Sequence, residues 1–145
     1  MLVKDYLLSE VDSSCALCGS RKALTEHHID WNRENNDYSN RIVICDKCHV
    51  KVNKRNISDD EVGDRKRILV IKTLTQYGVN LLTICYRNSF GVIAMPFLVY
   101  HLVDLGFLVQ KEVESTYGSE EEETLIHARY EITDKGKKLY DTWVR

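Results

Sequence analysis

Cysteine and histidine residues with the spacing of metal ligands are concentrated in the first third of this sequence. Two Cys-x-x-Cys pairs flank two adjacent histidines, and a third histidine follows the second pair directly. These residues are Cys15, Cys18, His27, His28, Cys45, Cys48 and His49. Four thiolates are the ligands that a tetrahedral structural Zn²⁺ prefers. We therefore expect the four cysteines to bind one zinc ion, and the remaining histidines point to a second, catalytic metal.

The elements predicted around these residues separate the two sets of ligands. Residues 23–30 and 41–44 have the composition of strands, residues 32–40 form a polar loop, and residues 46–55 are predicted to be helical. On that helix His49 and Asn53 share one face, whereas Cys48 points about 100° away from His49. The two adjacent histidines can serve one site only if their strand twists or ends there, because successive strand residues face opposite sides.

Residues 15–53 resemble an HNH endonuclease, a ββα-metal nuclease with an added four-cysteine zinc knuckle. The resemblance rests on the adjacent histidines, on Asn40 nine residues before His49, and on the ligand-type Asn53 four residues after it. It implies that His27, His49 and Asn53 hold a catalytic divalent ion, Mg²⁺ or another. Asn53 stands where many relatives have histidine.

The same resemblance implies phosphodiester hydrolysis and assigns roles to the other polar residues. His28 is expected to be the general base, since a neutral imidazole is the natural base near neutral pH. Asn40 is expected to orient His28, for instance by accepting a hydrogen bond from its second ring nitrogen.

The second part of the chain resembles a winged-helix domain. Ser58 and Glu61 form a predicted capping box, and helices are predicted over Asp64–Tyr77, through residues 82–86, and from Pro96 to Gly106. Residues 107–117 and 124–132 are predicted to form a hairpin, because apolar and polar residues alternate over residues 126–132. A last helix, anchored by Leu139 and Trp143, is predicted to follow it. The expected fold class is therefore α+β, with an HNH-type zinc module over residues 1–58 and a winged helix-turn-helix domain over residues 59–145.

Charged residues indicate where DNA would bind. The helix expected to read a DNA groove, between Ala94 and Asp104, has no Arg or Lys, and the hairpin tip at residues 118–123 is acidic. This composition favours packing, self-association or a protein partner for the second domain. Basic residues instead collect beside the nuclease-like helix, where we expect them to contact the phosphate backbone; they are Lys51, Lys54, Arg55, Arg65, Lys66 and Arg67.

Composition narrows the class of protein. The chain has 145 residues, and its hydrophobic content of 43% is sufficient for packed cores. Its net charge of −2 argues against general, charge-driven binding along nucleic acid. Paired cysteines with metal-ligand spacing suit a reducing cytoplasm. We expect no signal peptide, because the first residues show no basic segment followed by an apolar one. We also expect no membrane span, because the apolar stretch from Val92 to Val109 contains Pro96, His101 and Asp104. Cys85 is expected to be a core residue.

These observations favour a metal-dependent DNA endonuclease or nickase. Two alternatives remain open: a non-enzymatic zinc-containing winged-helix transcription regulator, and a protein-binding adaptor of a nucleic-acid machine that uses the acidic hairpin. The intact set of His28, Asn40 and His49 favours the enzyme, and the uncharged third helix argues against the regulator.

Overall fold

A computed structural model describes residues 2–145. The chain is a mixed α+β protein with two small sheets. The contacts divide the chain into two compact units between Thr73 and Leu74, which lies further along the chain than the boundary predicted near residue 58. The elements are, in order, α1 Val3–Ser9, β1 Leu24–His28, a 3₁₀ turn Tyr38–Asn40, β2 Arg41–Cys45, α2 Asp46–Asn53, α3 Asp59–Arg87, β3 Val92–Ala94, α4 Pro96–Asp104, β4 Leu108–Ser119, β5 Glu122–Ile132, α5 Asp134–Leu139 and a π-helical turn Tyr140–Val144.

The first unit is built on an antiparallel pair of strands followed directly by a helix. In the β1–β2 pair, His27 lies opposite Ile42 and His28 lies opposite Arg41. The β-branched residues of β2 are buried and supply the core of this unit. Helix α2 begins immediately after β2, with Cys45 as its extended N-cap residue. The predicted strands and helix are confirmed, whereas α1 was not predicted.

A buried charged pair stabilises the first unit away from the cysteines. Lys66 Nζ lies 2.8 Å from Glu10 Oε1, and both side chains are fully buried. The Tyr38 hydroxyl donates to Glu10 Oε2 at 2.5 Å, and Thr73 Oγ1 donates to the same oxygen at 3.3 Å. Burial lowers the pKa of Lys66 to about 8, although the adjacent Glu10 carboxylate acts in the opposite direction. The three donors to this carboxylate, Tyr38, Lys66 and Thr73, all belong to the first unit.

Helix α3 begins at the predicted capping box. Ser58 N donates to Glu61 Oε2 at 2.8 Å, and Glu61 N donates to Ser58 Oγ at 3.2 Å, which confirms that prediction. The helix is interrupted at Thr75, which has φ 63° and ψ 167°, and it resumes to end at Arg87. The predicted end of this helix at Tyr77 is therefore wrong, since the break lies at Thr75 and Gly78 is buried within the helix that follows, against Leu74 and Leu102.

By length and composition, α3 alone among the helices of residues 2–145 is long and apolar enough to cross a membrane. That finding is weak, because a core helix of a soluble protein passes the same test. The break at Thr75 also leaves two segments that are each shorter than the ~20 residues a span requires.

The second unit contains a three-stranded antiparallel sheet in the order β3-β5-β4. The predicted hairpin is present as β4 and β5, and the short β3 pairs with β5 on its other edge, which was not predicted. Helix α4 begins at Pro96, as expected from the tolerance of proline at a first helical position. Thr133 caps α5 by accepting from Gly136 N, and Leu139 anchors this helix in the core. Gly136 is required there because a Cβ would lie 2.3 Å from the Phe107 carbonyl oxygen.

Candidate metal centre and adjacent histidine cleft

The four predicted cysteine ligands come together in the first unit. The Sγ atoms of Cys15, Cys18, Cys45 and Cys48 all lie within 4.8 Å of one another, and those of Cys18 and Cys45 are 3.6 Å apart. Four sulfurs around a Zn²⁺ at about 2.3 Å would be separated by ~3.8 Å. This cluster can therefore hold a metal such as zinc with little adjustment.

Local backbone structure explains how two distant cysteine pairs meet. Gly19 N donates to Cys15 O at 2.8 Å, and Gly19 has φ +77°, a conformation that closes the first turn and that glycine adopts without strain. Ala16 N donates to Val43 O at 2.9 Å, which ties this turn to β2. The second pair lies where β2 becomes α2, so both pairs are held by the same strand.

The cluster favours ionisation of one thiol over another. Burial raises the pKa of Cys15, but hydrogen bonds from the backbone of Cys45, Cys18 and Leu17 outweigh it and lower that pKa to about 7. Burial and the neighbouring cysteines hold the pKa of Cys48 well above its usual range. This difference is expected of crowded thiols, because the first thiolate repels the next, and a bound cation would remove that repulsion.

A cleft of ≈ 310 Å³ in the same unit is lined by the histidines that the cysteines leave over. Its walls come from β1, the loop after β1, and α2. The lining residues are Thr25, Glu26, His27, His28, Trp31, Arg33, His49 and Asn53. Strand β1 ends at His28, and this is the condition under which both adjacent histidines can face one site.

His27 and His49 are positioned to share a ligand. Their ring centroids are 5.3 Å apart with the ring planes at 70°, and His27 is only 3% exposed. Burial is the main cause that lowers the pKa of His27 below its usual 6.5, and the nearby His49 adds to it. His27 is thus held as a neutral imidazole, the form that binds metals. Asn53, one turn after His49, is exposed and lines the same cleft.

His28 is held by Asn36 rather than by Asn40. Nε2 of His28 lies 3.1 Å from Oδ1 of Asn36, while Asn36 Nδ2 donates to Glu34 O at 3.4 Å. An amide oxygen can only accept, so Nε2 of His28 is the donor in this contact, and in the neutral ring Nδ1 then retains its lone pair. This tautomer is the one that leaves a basic nitrogen available.

Asn40 is buried and fixes the loop that follows β1. Its Oδ1 accepts from Asp30 N at 3.0 Å, and its Nδ2 donates to Asp30 Oδ1 at 2.8 Å and to Asn35 O at 2.9 Å. Its main-chain oxygen accepts from Ile29 N at 2.8 Å. The expected hydrogen bond from His28 to Asn40 is therefore replaced by a network that shapes the loop containing Asn36.

The predicted phosphate-binding residues divide into exposed and buried ones. Lys51, Lys54 and Arg67 are exposed. Arg55 is exposed but bonds Asp59 Oδ2 at 2.8 Å, and Arg65, at the edge of the cysteine turn, donates to Ala16 O at 2.6 Å. The prediction that Lys66 contacts nucleic acid is wrong, because its side chain is fully buried in the pair with Glu10.

Four residues that line the cleft were not predicted from the sequence, namely Thr25, Glu26, Trp31 and Arg33, and Trp31 is the aromatic one. It is 43% exposed, its ring centroid is 5.0 Å from that of His27, and the Arg55 guanidinium lies 4.4 Å above its ring. The only available signal was a tryptophan three residues after His28 in an otherwise polar loop.

Comparisons with known proteins add no family to this description. No protein-family model, curated protein or solved structure matches the chain.

Proposed function

We propose that the chain is a metal-dependent DNA endonuclease or nickase of the HNH type, in which His28 is the general base. The observation that carries the proposal is that His27, His28, His49 and Asn53 line a single cleft. His27 and His28 end β1, and His49 and Asn53 lie on α2, which follows β2; this order of elements is the one that the resemblance implies. The four-cysteine cluster comes from the turn that contains Cys15 and Cys18, from the end of β2 and from α2, and it would supply the structural zinc.

The donors of His27, His49 and Asn53 suit a divalent ion. Two imidazoles and one amide oxygen match the preferences of ions such as Mn²⁺ or Zn²⁺ better than those of Mg²⁺, which prefers oxygen ligands. When bound, such an ion would act as a Lewis acid that stabilises negative charge developing on the leaving oxygen.

The chain's own residues would bind and activate the remaining reactants. Nδ1 of His28 would accept the proton of the attacking water, while Asn36 keeps Nε2 protonated. Asn40 would act as a positioning residue, because it holds the loop from Asp30 to Asn35 that leads to Asn36. Lys51, Lys54, Arg55 and Arg67 would attract the phosphate backbone.

Plasmid nicking with added Mn²⁺ or Mg²⁺ tests this proposal. We expect His28→Ala to reduce the cleavage rate by ~10²–10⁴-fold, as loss of a general base usually does, without a change in zinc content. His127→Ala is the matched control, since His127 lies on β5 and bonds Ser115, and it should cut as the wild type does. Cleavage by His28→Ala at the wild-type rate would rule out His28 as the base.

A protein contact through the second unit is a second candidate function, and the exposed face of α4 favours it. Phe97 is 73% exposed and Tyr100 is 61% exposed, and residues three apart share one face of a helix. The β4–β5 hairpin that follows α4 supports a winged-helix type of unit, but aromatic residues on this helix suit a protein surface better than a DNA groove. Sedimentation velocity of Phe97→Ser/Tyr100→Ser should show less self-association than wild type, and Tyr117→Ser should show no change.

A further inference from the structure

Trp31 is exposed at the edge of the histidine cleft, where little burial stabilises it. The side chain is 43% exposed, although a tryptophan that served packing would be largely buried. Its position beside His27 places the ring next to the proposed site of phosphodiester cleavage.

The backbone at Trp31 is held in an unfavourable conformation. Its φ of 62° is in the left-handed region, which is unfavourable for a bulky side chain. Trp31 N donates to His28 O at 3.1 Å, and the preceding Asp30 is fixed by Asn40. Because such conformations persist only where the surroundings impose them, these hydrogen bonds fix the position of Trp31 at the edge of the cleft.

Arg55 and Asp59 orient the indole ring. Trp31 Nε1 donates to Asp59 Oδ1 at 3.3 Å, and Arg55 donates to Asp59 Oδ2 at 2.8 Å. The Arg55 guanidinium lies 4.4 Å from the ring centroid in a cation–π contact. The guanidinium thus covers one face of the indole, and the aromatic ring and the planar cation form a stacked pair beside the cleft.

We propose that Trp31 and Arg55 form a nucleobase-binding subsite, and that the preferred substrate is nucleic acid with unpaired nucleotides beside the scissile phosphate. Aromatic rings and guanidinium planes both stack on bases, and Arg55 can also attract the adjoining phosphate. A base within an intact duplex is already stacked and paired, so it would have to leave the helix to reach this surface. This inference rests on the proposed function in one respect, namely that the neighbouring histidine cleft is the site of phosphodiester cleavage.

Fluorescence of Trp31 tests the stacking directly. The chain has two tryptophans, so Trp143→Phe leaves Trp31 as the sole reporter. In this background, with His28→Ala added to prevent cleavage, we expect a single-stranded oligonucleotide to quench the fluorescence. An abasic strand of equal length retains the phosphates and should not quench. Equal quenching by both strands, or none by either, would overturn the proposal.

Affinity measurements provide a second, independent test in the same His28→Ala background. Trp31→Leu should weaken binding of the single strand by about 5- to 150-fold, the effect of losing one stacked base, whereas Trp31→Phe should retain most of the affinity. Arg55→Lys keeps the charge but loses the plane, so affinity should fall while the salt dependence is unchanged. Tyr117→Leu removes an aromatic residue that is more exposed than Trp31, at 77%, from the hairpin and should have no effect.

These results separate the subsite from the proposed nuclease activity. Zinc content of each variant establishes that the first unit is folded. If bases quench Trp31 but the protein with His28 intact cuts no nucleic acid, the proposed function is refuted and the subsite is supported. Cleavage with unchanged single-strand affinity in Trp31→Leu would refute the subsite and leave the proposed function standing.

Discussion

Two histidines that are adjacent in the chain lie in different environments in the first unit. His27 is buried against His49 and Trp31, where desolvation lowers its pKa and keeps its ring neutral. His28 is the last residue of β1, is partly exposed, and has its protonated nitrogen bound by Asn36. One neutral imidazole is thus suited to hold a cation, and its neighbour is suited to accept a proton.

The pair formed by Glu10 and Lys66 illustrates how burial changes the role of a charged residue. Lys66 Nζ lies 3.9 Å from the Tyr38 ring centroid as well as 2.8 Å from the Glu10 carboxylate, and it has no access to solvent. A buried pair of this kind adds less net stability than its contacts imply, because both charges have lost their hydration. Removing one partner is nevertheless severe, since the other is left unpaired.

We predict that Lys66→Met lowers the free energy of unfolding of the first unit by about 3–5 kcal/mol, because it leaves the Glu10 carboxylate without its cation. The double variant Glu10→Leu/Lys66→Met should recover most of that loss, since it removes both charges. Urea denaturation of the three proteins measures the difference. Equal destabilisation in the single and double variants would show that the loss of packing, rather than the unpaired charge, decides the outcome.

At the scale of elements, one strand connects the two ligand sets of the first unit. Strand β2 carries Cys45 at its end, pairs with the strand that carries His27, and leads directly into the helix that carries Cys48 and His49. A metal bound by the cysteines would therefore also fix the elements that form the histidine cleft.

We predict that Cys45→Ser loses the bound zinc and that β1, β2 and α2 then exchange their amide hydrogens rapidly. About 70 residues bury too little apolar surface to be secure alone, whereas structural zinc can contribute on the order of 10–16 kcal/mol. Metal analysis and hydrogen exchange measure the two effects. Cys85→Ser is the matched control, because Cys85 is also buried but lies in the second unit. The zinc content of this variant should match that of the wild type. A Cys45→Ser protein that is metal-free yet fully protected would contradict the prediction.

The break in α3 gives a second prediction for an element. Thr75 has φ 63° and ψ 167°, a region that is almost confined to glycine, and this strain costs about 1–3 kcal/mol. Thr75→Gly should raise the free energy of unfolding of the second unit by roughly 1 kcal/mol, after allowance for the greater chain entropy of glycine. Thr83→Gly, within regular helix, should lower it by ~0.5–1 kcal/mol. Thermal and urea denaturation compare the two, and destabilisation by both would show that Thr75 is not strained.

At the scale of the whole molecule, a net charge of −2 conceals an uneven distribution along the chain. Exposed basic residues occur on and after α2, whereas the tip of the β4–β5 hairpin carries four exposed acidic residues, Glu120, Glu121, Glu122 and Glu123. Binding of nucleic acid would therefore depend on a local basic surface rather than on overall attraction.

We predict that Lys54→Glu/Arg67→Glu weakens DNA binding and lowers the slope of log affinity against log salt by about 2, because each lost phosphate contact removes about one released counterion. Fluorescence anisotropy at salt concentrations between about 50 and 200 mM measures this slope. Lys137→Glu/Lys138→Glu makes the same charge change at exposed positions of α5 and should leave the slope unaltered. A similar fall in slope for both variants would indicate that net charge alone governs binding.

The sequence by itself determined the features that depend on local chemistry. The Cys-x-x-Cys spacing predicted the thiolate cluster, the Ser58–Glu61 pattern predicted the start of α3, and alternation of apolar residues predicted the β4–β5 hairpin. These predictions were correct because metal-ligand spacing, helix capping and strand periodicity act over a few neighbouring residues. The nuclease activity and the catalytic metal remain proposals that also began with local spacing.

Only the tertiary structure decided which distant residues meet. Lys66 reads as one more exposed basic residue of an amphipathic helix until Glu10, 56 positions earlier, is found to pair with it in the core. Asn36 rather than Asn40 contacts His28 because the loop after β1 folds back on Asp30, and Arg55 stacks on Trp31 because α2 ends beside that loop. Such contacts are set by the burial of whole elements, and no local pattern records which side chains that burial brings together.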